Sequence, residues 1–283
     1  MPAMIDAHQH YWRPERGDYD WMPKGDPVLD RPYGPADLDP ALARHGITHT
    51  ILVQAAATIH ETEYMLGLAD ATPSVAGIVG WVDFENRDDL RHLERLKRHR
   101  KFLGVRPMIQ DIDDVDWMLR GDVQWAFAAL RDLDLTFDAL GFPRHLNNFV
   151  RILTRYPDLR TVIDHCMKPE IRVQMAGGNA FGPWAAGMNL LARETGAFCK
   201  LSGLVTEAQP GWTLADIEPF AGYAMHCFKP ERVMWGSDWP VCQLRATYDQ
   251  WRETAILLCR DLMDEDKANI FGGTAKAFYR LDV

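Results

Sequence analysis

The stretch Met4-Ile-Asp-Ala-His-Gln-His10 decides between two architectures. Met4–His8 has the length and composition of a short strand, and the residues just after a first strand separate the α/β folds. A doubly wound open sheet would continue into a glycine-rich phosphate loop. Here the strand runs into His-Gln-His, so its end carries imidazoles instead of close-packed backbone amides.

Outward from that stretch, short β-rich runs alternate with helical patterns along the whole chain. The predicted strands are Met4–His8, Thr50–Gln54, Ala76–Val82, Leu103–Arg106, Leu135–Ala139, Thr161–His165, Phe198–Ser202 and Val233–Asp238. Runs such as Ile51-Leu52-Val53 are continuously apolar, as strands covered on both faces are. The predicted helices are Pro35–His45, Glu61–Ala71, Asp88–Arg100, Asp122–Asp132, Pro143–Tyr156, Pro183–Thr195, Leu214–Phe228 and Tyr248–Arg260. In Asp88–Arg100, Leu90, Leu93 and Leu96 fall on one face among charges. Eight such alternations, with no Pro/Gly/Ser-rich linker, predict an α/β fold: one (β/α)8 TIM barrel over residues 1–283. A last helix is expected at Asp264–Tyr279. The segment Arg13–Pro35 is too long for a routine connection. It is expected either as a wall or lid at the barrel mouth, or as a surface excursion packed by Tyr19 and Trp21.

Composition excludes several function classes. The 283 residues are 47% hydrophobic and 25% charged, which describes a folded globular chain. A net charge of −9 argues against a sequence-independent grip on nucleic acid. No apolar run approaches a membrane span, and the start has no signal-peptide pattern, so a cytoplasmic location is expected. Five cysteines are an odd number at spacings of no zinc-ribbon type, and they read as reduced, mostly buried thiols.

A barrel puts its chemistry where strands end. The predicted ends read His8-Gln-His10, Gln54, Trp81-Val-Asp83, Arg106, Asp138, Asp164-His165, Lys200-Leu-Ser202 and Gly236-Ser-Asp238. Alternate residues of a strand share a face, so His8 and His10 can present two imidazoles to one ion. Alone, such a pair is equally a pair of hydrogen-bonded core histidines. His165 and Asp238 add a third nitrogen and a carboxylate from later strand ends, a donor set that suits zinc. Asp238 taken singly could be a turn or helix-cap aspartate; beside three histidines it becomes a candidate to activate water. Arg106 and Lys168 are candidates to bind substrate hydroxyls or developing negative charge. Arg106 could instead pair with Asp83 or Asp138, and Lys168 could be a solvated loop charge. Gln54 and Asp138 are expected either at substrate or in structural hydrogen bonds, and Lys200 could point either way. Trp12, Trp81, Trp239 and Phe142 follow strand ends and could floor a sugar-like ring, or simply pack the core. His60 and His145 also stand close enough to the mouth to reach it. No nucleophile elbow, phosphate loop or dinucleotide fingerprint is present, which disfavours covalent catalysis.

Four blocks together resemble a known family. Asp6-Ala-His-Gln-His-Tyr-Trp12, Ile163-Asp-His-Cys-Met-Lys-Pro169, Cys199-Lys-Leu-Ser-Gly-Leu204 and Trp235-Gly-Ser-Asp-Trp-Pro240 resemble the amidohydrolase superfamily. Within it they are similar to the sugar-lactone hydrolase branch of L-fuconolactonases and L-rhamnonolactonases. The likeness runs from Ile5 to Leu281. It implies a distorted barrel and hydrolysis of a lactone such as L-fuconolactone to the sugar acid. His8, His10, His165 and Asp238 fall at the family's metal positions, with Asp238 and His165 as catalytic groups. Arg106 replaces the lysine or glutamate that bridges two metals in binuclear members, and Asp138 stands where a histidine would. Both changes point to one divalent ion, zinc by expectation, or to a metal-free mechanism. Thr274 replaces an asparagine frequent in relatives. The partner is a small lactone, with a homodimer left open. Two other readings compete: a metal-dependent decarboxylase of the superfamily, and a sugar-acid binding barrel without catalysis.

Overall fold

The strands β1 (Ile5–Gln9), β2 (His49–Val53), β3 (Val75–Gly80), β4 (Phe102–Val105), β5 (Thr136–Ala139), β6 (Thr161–Ile163), β7 (Phe198–Leu201) and β8 (Val233–Trp235) pair in chain order, every neighbour parallel. The computed structural model describes residues 3–283; Met1 and Pro2, at the head of the segment searched for a signal peptide, lie outside the described residues. Parallel neighbours need crossovers, and helices supply them. These are α1 (Pro35–His45), α2 (Ile59–Ala71), α3 (Leu90–Leu96), α4 (Gln124–Asp132), α5 (Leu146–Arg155), α6 (Ile171–Met175), α7 (Phe181–Glu194), α8 (Leu204–Glu207), α9 (Leu214–Phe228) and α10 (Tyr248–Leu258). The result is a nearly closed (β/α)8 barrel. No helix among the described residues is long and apolar enough to cross a membrane.

Alternation along the strands sorts the apolar residues into two cores. Ile5, Ala7, Ile51, Val53, Val79, Val162 and Met234 fill the barrel interior. Leu52, Ile78, Phe137, Leu201 and Trp235 face the other way and pack with the helices. Local signals fix several helix starts. Thr58 Oγ1 accepts from Glu61 N ahead of α2, and Thr247 with Gln250 forms a capping box on α10.

Closure of the barrel is unlike its other seams. Between β1 and β8 there is no full ladder, only a bridge from Gln9 to Trp239. His10 N donates to Trp239 O at 2.7 Å, and Asp238 N donates to His8 O at 2.8 Å. The buried Asp6 carboxylate ties the same seam, accepting from Ser237 N at 2.8 Å and His8 N at 3.2 Å. Gly236 lets the chains come this close, since a Cβ there would lie 2.6 Å from His8 Cβ. The closing stitch therefore runs through the segment that carries Asp238.

Three helical expectations change. The helix expected over Pro143–Tyr156 opens as a 3-10 turn at Pro143–His145 before α5. The amphipathic helix expected over Asp88–Arg100 is α-helical only over Leu90–Leu96, preceded by a 3-10 turn at Arg87–Asp89. The continuous helix expected at Asp264–Tyr279 is broken into α11 (Asp264–Ala268) and α12 (Thr274–Tyr279) by a wide turn at Asn269–Gly273. Gly272 explains the break: its backbone presses on the chain entering β1, where a Cβ would stand 1.9 Å from Ala3 O. From this turn α12 runs under the barrel, adding Ala275, Phe278, Tyr279 and Leu281 to the interior core.

The long first loop folds back on itself. Trp12 and Tyr33 exchange backbone hydrogen bonds at 3.1 and 2.9 Å, and Tyr19, Met22 and Leu29 are buried beneath. Trp21 is 41% exposed and its Nε1 donates to Ala55 O at 2.6 Å, latching the loop to the end of β2. The loop packs on itself, and its Trp21, with Trp12 just before it, lines the cavity at the mouth.

Candidate active site

His8 and His10 reach the mouth from β1, and Asp238 meets them across the closing seam. His8 Nε2 and His10 Nε2 are 3.2 Å apart. Asp238 Oδ1 lies 3.3 Å from His10 Nε2, 3.7 Å from His8 Nε2 and 3.8 Å from His165 Nε2. All four residues are buried. Asp238 itself has φ 56°, and His165, Cys166, Met167 and Lys168 form a run of four left-handed residues. Each such non-glycine residue costs roughly 1 kcal/mol or more. The turn is held from behind, where Trp184 Nε1 donates to Cys166 O at 2.8 Å, and it carries both the His165 ring and the Lys168 side chain to the mouth.

Protonation follows from burial and neighbours. Burial pushes all three imidazoles towards the neutral form, His165 down to about 4. Burial pushes the Asp238 carboxyl up, but the facing His165, His10 and His8 rings outweigh it and hold the group well below the usual range. An ionised carboxylate thus faces three buried imidazoles whose ring nitrogens converge on it.

Four ligands at about 2.0–2.2 Å around a tetrahedral centre lie about 3.3–3.5 Å from one another. Four of the separations, 3.2 to 3.8 Å, bracket that spacing; His8, His10 and Asp238 form one convergent trio, and His165 meets it through Asp238 at 3.8 Å. His10 Nδ1 donates to Val53 O at 2.8 Å, which leaves Nε2 as the free lone pair, the usual support of a ligating histidine. His165 Nδ1 is held by Ser202 Oγ at 2.9 Å. His8 fits in one tautomer: its Nδ1 faces Asp164 Oδ1 at 3.5 Å and Lys200 Nζ at 3.1 Å, and only donation to Asp164 frees Nε2. Arg106 Nη1 stands 3.4 Å from that same Nε2. His8, Asp164 and His165 form a second convergent trio sharing His8. The donor set suits a divalent metal ion.

Beneath the rings lies a buried charge network. Lys200 Nζ contacts Asp138 Oδ2 and, at 3.0 Å, Asp164 Oδ1. Tyr279 Oη donates to Asp138 Oδ2 at 2.7 Å. Arg106 donates to Gln54 O and, at 3.3 Å, to Asp164 Oδ2; it pairs with neither Asp83 nor Asp138. Burial and the Lys200 ammonium pull Asp164 in opposite directions, and the ammonium prevails, holding its carboxyl well below the usual range.

A cavity of about 110 Å³ opens above these groups. Its lining combines polar His10, Arg106, His165, Lys168 and Asp238 with Trp12, Trp21, Met108 and Leu140. Four expected substrate contacts lie elsewhere. Asp138 is bound to Lys200 and Tyr279 below the rings. Gln54 is fully buried and its Nε2 donates to Arg106 O at 2.6 Å. Trp81 lines a separate cavity beside Phe84 and Trp117. Trp239 is buried edge-on against Tyr33, with ring centres 5.0 Å apart. His145 and His60 also miss this cavity: His145 Nδ1 accepts from Phe142 N at 3.0 Å, and His60 opens α2. Sequence reasoning assigned no role to Asp164, Ser202 or Gln110, and gave the cavity-lining Trp21 only a packing role in the long loop. Asp164 and Ser202 had a signal, standing in the same strand-end blocks as His165 and Lys200. The five thiols are free, and Cys227 alone among them is not buried.

This barrel, with histidines on its first and sixth strand ends and an aspartate after the eighth, belongs to the amidohydrolase family, whose model matches residues 5–281. The chain is 41% identical to a protein named L-fucono-1,5-lactonase from Burkholderia ambifaria, covering 100% of this chain and 97% of that one. It is 36% identical to another of that name from Burkholderia multivorans, covering 98% and 96%. An amidohydrolase from Burkholderia multivorans solved with zinc bound superposes at a TM-score of 0.93, with 34% identity over 99% of each chain.

Proposed function

We propose that the protein hydrolyses a sugar lactone of the L-fucono-1,5-lactone type to the open-chain sugar acid. The observation that carries this reading is Asp238 within 3.8 Å of three imidazole nitrogens at the floor of a cavity, in a chain so close to proteins named for that reaction. Asp238 takes the proton from a water as it attacks the lactone carbonyl. Arg106 and Lys168, both on the cavity wall, donate to the oxygen that gains negative charge. Asp238 then returns that proton to the ring oxygen as the C–O bond breaks, beside the His165 ring that Ser202 holds. Trp12 takes the less polar face of the ring. His8, His10, His165 and Asp238 would hold one metal ion, zinc by this reading, which when bound polarises the carbonyl as a Lewis acid. Gln54 and Asp138 support the site indirectly, through Arg106 and Lys200.

A pH-indicator assay over a panel of aldonolactones tests the reading. Acid release is expected from the wild type on L-fucono-1,5-lactone, falling by about a thousandfold in Asp238→Asn. Release that survives in Asp238→Asn sinks the role given to Asp238. A wild type inert on every lactone that evolves carbon dioxide from a carboxylic acid would favour a decarboxylase instead. Metal analysis of the same preparation decides zinc, and a fully active protein with none would end that part.

A further inference from the structure

A second cavity, of about 340 Å³, adjoins the catalytic one and shares Lys168 with it. Arg144, Lys168 and Arg172 bring three positive charges to its wall, and Phe142 forms part of the floor. Residues of the catalytic cavity anchor all three cations. Arg144 Nη2 donates to Gln110 O at 3.1 Å and Lys168 Nζ donates to Gln110 Oε1 at 2.6 Å. Arg172 Nη2 donates to Thr206 O at 2.7 Å. Arg144 and Lys168 also lie over the same Phe142 ring, 4.8 and 5.6 Å from its centre. Each anchor uses one donor and leaves the others free. Among the described residues, no carboxylate oxygen lies within 4.0 Å of any of the three cations. Glu170 and Glu207 share the wall, Glu207 half-buried, so the lining carries three positive and two negative side chains.

Ring opening turns a neutral lactone into a carboxylate, a charge the substrate does not carry. The adjoining cavity offers cations with no carboxylate within 4.0 Å among the described residues, one side chain away. We propose that it is an exit subsite that binds the carboxylate of the released hydroxy acid, an inference that rests on the lactonase reading. The cavity takes the product by charge and discriminates against neutral substrate.

The test uses Arg144→Gln/Arg172→Gln, two positions outside the catalytic cavity. With L-fuconate as inhibitor, the product-inhibition constant is expected to rise about fivefold in the double variant, as the loss of two exposed charge contacts implies. The lactone KM and kcat should stay close to wild type, and neutral L-fucitol should not inhibit either protein. Raising the salt from about 0.02 to about 0.3 M should weaken fuconate inhibition more in the wild type than in the variant. An inhibition constant unchanged in the variant overturns the subsite. So does a parallel rise in KM and inhibition constant, which would mark a structural effect. Failure of the lactonase reading shows separately, as a wild type that releases no acid from any lactone.

Discussion

Lys200 is the residue on which the interior turns. A fully buried ammonium is tolerable only with close counter-charges, and Asp138 and Asp164 supply them from the ends of two neighbouring strands. Lys200→Met keeps most of the volume but leaves two buried carboxylates facing each other. It should lower unfolding stability by about 3–5 kcal/mol in urea titrations. Adding Asp138→Asn should recover part of the loss, and additive penalties would refute the pairing. This network also shows what single residues tell in advance. His8, His10, His165 and Asp238 were legible because each closes an apolar run with a metal-type donor. Asp138 and Gln54 ended such runs too, yet they face partners brought by other strands. Nothing within a four-residue strand says which neighbour will claim its polar end. Trp21 was legible as an aromatic in a long loop, but its place in the cavity depends on one hydrogen bond to a strand distant in sequence.

Elements show the same division. The loop after β2 is set by Glu61, fully buried, whose carboxylate accepts from Ala55 N at 3.0 Å and Ala56 N at 2.7 Å. Burial dominates these bonds and pushes the Glu61 carboxyl up to about 7. A raised acid binds its proton more tightly folded than unfolded, so stability is fullest at low pH. It falls as pH rises from about 4.5 through 7, by at most about 1.4 kcal/mol per pH unit. Glu61→Gln cannot titrate. The stability of wild type relative to Glu61→Gln should therefore decline across that window and level off above it, as followed by urea midpoints. A difference that grows with pH would contradict the burial argument. Helices with caps, such as α1 and α9, kept the bounds expected from the sequence. The left-handed turn at His165–Lys168 was illegible, because no glycine or asparagine announces it and packing against Trp184 sustains it.

At the scale of the whole molecule, the fold was legible because eight strand–helix alternations leave few other closed arrangements. What the alternation could not show is that closure runs through Asp238 and His8 rather than a continuous ladder. An ion bound there would stitch the barrel shut, and ligands that bind only the folded state raise its stability. Zinc should therefore raise the thermal midpoint of the wild type but not of His10→Ala, by differential scanning fluorimetry. An equal rise in both would place binding elsewhere. At the other end of the barrel, Tyr279 reaches up from α12 to Asp138, and Phe278 packs on Phe198. The strands therefore leave the ribosome well before the segment that corks them. A nascent chain arrested ahead of Thr274 has a barrel open at its base, with Asp138 lacking its phenol partner and Ile5, Val53 and Met234 lacking their cover. The barrel of this chain is therefore completed only once α12 has been made, and the form lacking it is the state most exposed to aggregation.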